Sequence, residues 1–186
     1  MFFKRDVNGD PPISIQDVKD HLYLRHAKHD STLERYLKAA VTAGEKYTGR
    51  DFSACTWIAT ADYFFELGEI QRCPMNAITS LTYVVSDSPV TIATSVYQLC
   101  KNHQYSGLAL KADQEWPTDG DDALNAIVCT FTTDPTEQEY IDEAILGLLK
   151  HIAFLYENRG DSQGTDKDMR ASGAALHYDQ FRIERV

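Results

Sequence analysis

Few residues of this chain are of types that do chemistry, and their spacing suits it poorly. Among six histidines one close pair stands out, His26 and His29, with Asp30 beside them. Two imidazoles three residues apart and a neighbouring carboxylate could hold a divalent metal and activate a water, the chemistry of a small metal-dependent enzyme. The pair lies just before a helix cap, where a solvated turn is the simpler reading. The acidic run Asp119-Gly120-Asp121-Asp122 lacks the alternating ligands and the distant Glu of a calcium loop, and reads as a solvated loop. The four cysteines, Cys55, Cys73, Cys100 and Cys129, form no Cys-x-x-Cys pair. They read as reduced, packed thiols, with Cys73, between Arg72 and Pro74, the most loop-like. Trp57 and Trp116 could stack on a ligand, but a buried strand position and a Trp-Pro turn account for them. No nucleophile elbow, glycine-rich phosphate loop or His-Glu-x-x-His sequence occurs. The chain is therefore expected to carry no catalytic residues, no metal site and no cofactor.

Composition narrows the field further. With 28 acidic and 18 basic residues the formal net charge is −10, which repels polyanions and excludes tight wrapping of nucleic acid. The 186 residues, 43% of them hydrophobic, suit one ordinary globular domain. The expected division is a single domain over 1–168 followed by a C-terminal tail, 169–186. Phe2-Phe3 before Lys4-Arg5-Asp6 is no signal-peptide core, and the strongest apolar stretch, Ala144–Leu149, falls well short of the roughly 18 residues of a membrane span. A soluble intracellular protein with no membrane partner is expected.

Three helices must do most of the positioning. Ser14-Ile15-Gln16-Asp17 reads as a capping box opening a helix over about 14–24. Ser31-Thr32-Leu33-Glu34 reads as a second box, with Leu33, Tyr36, Leu37, Ala40 and Tyr47 at helical spacing to about residue 48. Asp134-Pro135 with Glu137 reads as the start of a long central helix over 134–158, whose apolar face runs from Ile141 to Tyr156 and which Gly160 ends. Between the second and third helices the period changes to two. Candidate strands are Thr56–Thr60, Tyr63–Leu67, Ile78–Val85, Val96–Cys100, Leu108–Lys111 and Ala126–Phe131, mostly antiparallel because their connections are short. Glu115–Asp122 and Gly160–Asp168 read as mobile segments. The fold class expected is α+β, mainly helical: a small bundle with a long central helix and an inserted antiparallel β region over about 55–131.

The order of these signals resembles the tailed-bacteriophage head–tail connector (adaptor, head-completion) family. The likeness runs from Ile13-Ser14-Ile15-Gln16-Asp17-Val18 and Leu33-Glu34-Arg35-Tyr36-Leu37 to Glu45-Lys46-Tyr47-Thr48-Gly49-Arg50. It continues through Thr56-Trp57, Cys73-Pro74, Leu81-Thr82-Tyr83-Val84, Trp116-Pro117 and the Ile127–Phe131 strand. It closes on Ala144-Ile145-Leu146-Gly147-Leu148-Leu149, Leu155-Tyr156-Glu157-Asn158-Arg159 and the tail from Ser172 to Arg182. The resemblance implies a virion structural protein of the phage neck, made in the host cytoplasm, that forms a homo-oligomeric ring of about twelve copies. Such a ring sits between the portal protein and a tail or stopper protein, with viral DNA passing through its lumen without specific binding. Another neck or tail-completion protein is the nearest alternative; a small metal-dependent enzyme using His26, His29 and Asp30, or a monomeric host-interaction protein, lies further off.

In that setting the tail is the expected portal or subunit interface. Leu176 and Tyr178, then Phe181 and Ile183, show two-residue spacing suited to adding a strand or filling a groove. Arg182 and Arg185 could pair with acids on the partner. The competing expectation is that the tail folds back onto its own helices.

Overall fold

A computed structural model of the chain describes residues 1–70, 75–101, 106–121, 123–136, 138–160 and 164–183. The chain folds into two compact units, Met1–Gly9 with Ala54–Asp134, and Asp10–Ser53 with Pro135–Val186.

The first unit is built on alternation. Strands β1 (Phe2–Val7), β2 (Cys55–Ala61), β3 (Met75–Val85), β4 (Ser88–Thr91) and β7 (Ile127–Thr133) form one sheet in the order β1-β2-β7-β3-β4. Every pairing in it is antiparallel. β5 (Tyr97–Lys101) and β6 (Ser106–Leu110) make a separate hairpin. In β2 and β7 burial alternates strictly, and Trp57 faces Phe131 while Ala59 faces Cys129 across the register. A one-residue slip would turn this whole apolar set to water, so the alternation itself holds the register. Leu67, Ile70, Leu81 and Tyr97 complete the core.

The second unit is helical: α1 (Ile15–His21), α2 (Asp30–Thr48), α3 (Ile141–Glu157), α4 (Thr165–Ala171) and α5 (Ala174–Tyr178), followed by a 3₁₀ turn, Asp179–Phe181. The box at Ser14 forms as expected, with the Asp17 N–H donating to Ser14 Oγ at 3.1 Å and the Ser14 N–H donating to the Asp17 carboxylate at 2.8 Å. Helix α2 ends on Gly49 in the left-handed conformation, φ 75°. Leu33, Leu37, Ala40, Leu148, Ile152 and Met169 lie in its core.

Several expectations need correction. The chain is not mainly helical: helix accounts for 36% and strand for 28%, with a five-stranded antiparallel sheet. A β region read as an insertion into a bundle is a body with its own apolar core, because its strands bury one face against each other and against the β5–β6 hairpin. Tyr63–Leu67 is no strand but leads into a 3₁₀ turn, Phe64–Gly68, in which the Phe64 ring stacks on Trp116 at 4.8 Å. The β1 strand was not foreseen; its Phe, Lys and Arg positions mark an edge strand, whose charges discourage further pairing. Helix α2 begins one residue before the Ser31 box, with His29 at the cap position. Helix α3 starts at Ile141 rather than at Asp134. Turn hydrogen bonds precede it instead, the Gln138 N–H donating to Pro135 O at 3.0 Å and the Ile141 N–H to Gln138 O at 3.1 Å. Tyr140 explains the delay: its hydroxyl donates to Asp51 O at 3.0 Å and its ring stacks on Phe181 at 5.0 Å, so tertiary contacts hold it outside the helix. Glu137, the third member of that expected box, lies outside the described residues.

Candidate interface surfaces

The C-terminal segment packs on its own unit. Tyr178 is fully buried, its ring 5.5 Å from Phe52 and 6.4 Å from Tyr47. Two helix-interior glycines admit it: a Cβ at Gly147 of α3 would run into the Tyr178 ring, and one at Gly44 of α2 would collide with Phe52 and crowd Tyr178. Ile183 is buried and its N–H donates to Thr48 O at 2.8 Å, while Arg50 Nε donates to Phe181 O at 2.6 Å. Phe181 is half-buried between Tyr140, Phe52 and Tyr178. The exposed Arg182 holds its guanidinium 4.6 Å from the Tyr47 ring. Tyr47 in turn donates to the Asp179 carboxylate at 2.5 Å. Of the five residues expected at an interface, Leu176 is 72% exposed and Arg182 is also exposed, whereas Tyr178 and Ile183 are core. The two-residue spacing that suggested a strand is the spacing of a short helix and a 3₁₀ turn pressed on α2 and α3. Arg185 lies outside the described residues.

His26 and His29 have ring centroids 5.3 Å apart, and the His29 ring meets Tyr156 edge-on at 5.8 Å. Desolvation, with Arg159 adding to it, lowers the His29 pKa and favours the neutral ring. Asp30 is paired with Lys19 at 3.2 Å. Among the described residues no group of three His, Cys, Asp or Glu is placed to hold a metal. Cys55, Cys100 and Cys129 form no disulfide among the described residues, and burial pushes the Cys129 thiol up to about 12. Cys73 lies outside the described residues. Trp57 is buried on β2 with Arg5 stacked over it at 4.7 Å, from the β1 position directly opposite. No helix among the described residues is long and apolar enough to cross a membrane.

The acidic run holds the sheet. Asp119 accepts from the Tyr83 hydroxyl at 3.0 Å, and the Asp121 carboxylate accepts from the N–H groups of Ser86 and Asp87, both at 3.0 Å. Ser86 and Asp87 have φ of 49° and 60°, the signature of a tight two-residue turn joining β3 to β4. Neither is Gly, so the carboxylate that collects both amides offsets the cost of the left-handed backbone. These bonds lower the Asp121 pKa below its ordinary 3.8. The stabilisation is thus present above that ordinary value and lost as pH falls through the lowered one. Asp121→Ala is expected to speed amide exchange at Ser86 and Asp87 while leaving the helical unit's exchange unchanged, which hydrogen-exchange mass spectrometry reads directly. Asp122 lies outside the described residues.

What sequence reading missed is apolar surface on the first unit. Tyr63 and Phe65 stack face to face at 5.5 Å and both are exposed, as are Phe2 and Leu124. The alternation in Tyr63-Phe64-Phe65 was the available signal, since it points the two outer rings the same way.

Among the described residues the first unit exposes apolar side chains, and the chain as a whole is strongly acidic. Residues 12–97, slightly under half of the chain, match the family model of the phage gp6-like head-tail connector protein. The fold is shared over 100% of this chain and 97% of its counterpart with a protein of the virion of a native gene transfer agent (GTA) particle, at TM-score 0.78 and 17% identity. It is shared to the same extent with chains of the neck of an empty GTA particle computed with C6 symmetry, at TM-score 0.76 and 16% identity, and of the neck of a native GTA particle computed with C12 symmetry, at 0.73 and 18%. No curated protein matches the chain. The comparisons thus give a shared fold along the whole chain and a head-tail connector match over residues 12–97.

Proposed function

We propose that copies of this chain close into a ring of about twelve between the portal and the tail, extending the DNA channel and supporting tail attachment. The observation that carries this reading is the fold shared along the whole chain with necks solved under C12 and C6 symmetry, joined to the connector match over residues 12–97. The charge of −10 per copy supports it: an acidic ring repels the duplex and offers it few sticking points. Electron cryomicroscopy of particles made without the chain is the test. Full heads with interrupted necks and no tails are the expected result, and complete tailed virions would overturn the reading.

Within this reading the portal contact is made by the outward side of the C-terminal segment, Leu176 with Arg182 and the open edge of Phe181, while Tyr178 and Ile183 hold that segment on α2 and α3. Leu176→Asp is expected to weaken binding to purified portal at least about tenfold, as loss of one well-placed apolar anchor does. Because Leu176 is exposed, the thermal midpoint should stay at the parent value. Undiminished portal binding would remove the tail from the interface.

A further inference from the structure

A ring closes through heterologous contacts, one patch of each copy meeting a different patch of the next, so a ring-forming chain must carry two dissimilar and complementary surfaces. The first unit offers the projecting one. Phe65 is 77% exposed and Tyr63 stacks on it; Leu124, 84% exposed, and Phe2, 70% exposed, lie at the same end of the sheet. They are fixed there rather than loose. The Met1 ammonium pairs with Glu66 at 3.1 Å, and the Asn125 N–H donates to the Asp62 carboxylate at 2.6 Å, tying the flanks of Phe2 and Leu124 to the Tyr63–Phe65 turn. Anchored aromatic side chains on a preorganised turn bind with little ordering cost.

The second unit offers a receptor. Pro11, Pro12, Ile13, Ile15 and Leu37 line an open apolar groove of about 390 Å³, with Lys38 at its rim beside Asp10 and Glu34. The outward face of α2 next to it carries Arg35, Lys38 and Lys46 against Glu34 alone, a net basic strip on an acidic chain. The first unit, by contrast, holds eleven acidic and five basic residues, and the Asp62–Glu69 stretch has three acids and no base. Both surfaces are apolar, and the acids flanking the turn suit the basic strip on α2, while the groove itself counts Asp10 and Glu34 beside Lys38 in its lining.

We propose that the Tyr63–Phe65 turn of one copy docks in the Pro11–Ile15/Leu37 groove of the next copy, with Glu69 facing the basic strip at Lys38. This pairing rests on the ring reading above and adds to it the two faces that close the ring.

The test uses the full chain in assembled particles. A photo-crosslinking benzoylphenylalanine replaces Phe65, and cross-links are mapped by mass spectrometry. Copy-to-copy links to residues 10–15 or 37–38 are expected. Links only to the portal, only to DNA or to another face of the neighbouring copy overturn the pairing. In parallel, Phe65→Glu is expected to lower incorporation into necks at least about thirtyfold, the size of a central hot spot. Lys38→Glu should lower it severalfold, and Glu69→Lys in the same chain should restore it. All these sites are exposed, so circular dichroism and the thermal midpoint should match the parent and show that the variants fold. Unchanged incorporation of Phe65→Glu, or no rescue by the charge swap, overturns the proposal. Wild-type necks that lack the chain altogether would instead overturn the ring reading, so the two failures are distinguishable.

Discussion

Tyr178→Ala is expected to destabilise the helical unit by about 3–5 kcal/mol, the range for truncating a fully buried aromatic side chain. The ring fills a space that two helices were shaped to leave, since Gly44 and Gly147 stand where any Cβ would meet Tyr178 or Phe52. Little can collapse into the gap, because the neighbours Phe52, Tyr47 and Phe181 are held by their own contacts. Two controls separate packing from polarity. The Tyr178 hydroxyl is buried with no hydrogen-bond partner among the described residues, and burial raises its pKa. Tyr178→Phe removes an uncompensated polar group and should leave stability equal or raise it by up to about 1 kcal/mol. Gly147→Ala gains about 1 kcal/mol of helix propensity yet should lose about 1–2 kcal/mol net, because overpacking forces the ring to move. Denaturant melts followed by helical circular dichroism measure all three. A cost below about 1 kcal/mol for Tyr178→Ala would mean that the tail is not keyed in this way.

The second large effect is a loss of stability in mild acid that traces to His151. This side chain is fully buried on α3 with neither ring nitrogen hydrogen-bonded among the described residues. Desolvation lowers its pKa from 6.5 to about 4, although the carboxylate of Asp168 on α4 pulls the other way. A histidine lowered on folding binds its proton more readily when unfolded. Its neutral form therefore contributes fully above the unfolded value of 6.5, and stability is lost as pH falls from 6.5 toward 4, with no further loss from this group below that. The shift corresponds to up to about 3 kcal/mol. His151→Met, which fills a similar volume without a titrating group, should flatten the stability profile between pH 6.5 and 4. An equally steep profile in that variant would assign the acid sensitivity to other groups.

Much of the first unit was legible because a half-buried strand writes its burial into the sequence at period two. The reading of Ile127, Cys129 and Phe131 against Val128 and Thr130 matches the observed faces of β7 residue by residue. The box at Ser14 was equally legible, since cap and partner lie three residues apart and need nothing from the rest of the chain. Asp134-Pro135 carried the same local signature, but Tyr140 is claimed by Asp51 and Phe181, and that claim outweighed it. The acidic run read as a solvated loop, yet Asp121 serves a turn that precedes it by 35 residues. The apolar groove was the least legible surface, because it is assembled from the Asp10–Ile15 connection and one face of α2.

The sequence by itself determined the connector resemblance, the acidic balance, α1, α2 and most strands, because periodicity, caps and charge are properties of neighbouring residues. Only the tertiary structure decided that β1 closes one edge of the sheet, that α3 begins at Ile141, and that the C-terminal segment is helical and folded back. Those outcomes depend on contacts such as Tyr47 with Asp179 and Arg50 with Phe181, 132 and 131 residues apart. A contact between distant residues adds its energy only once the chain is compact, so it leaves no periodic trace in the sequence and can still override a local preference of about 1 kcal/mol.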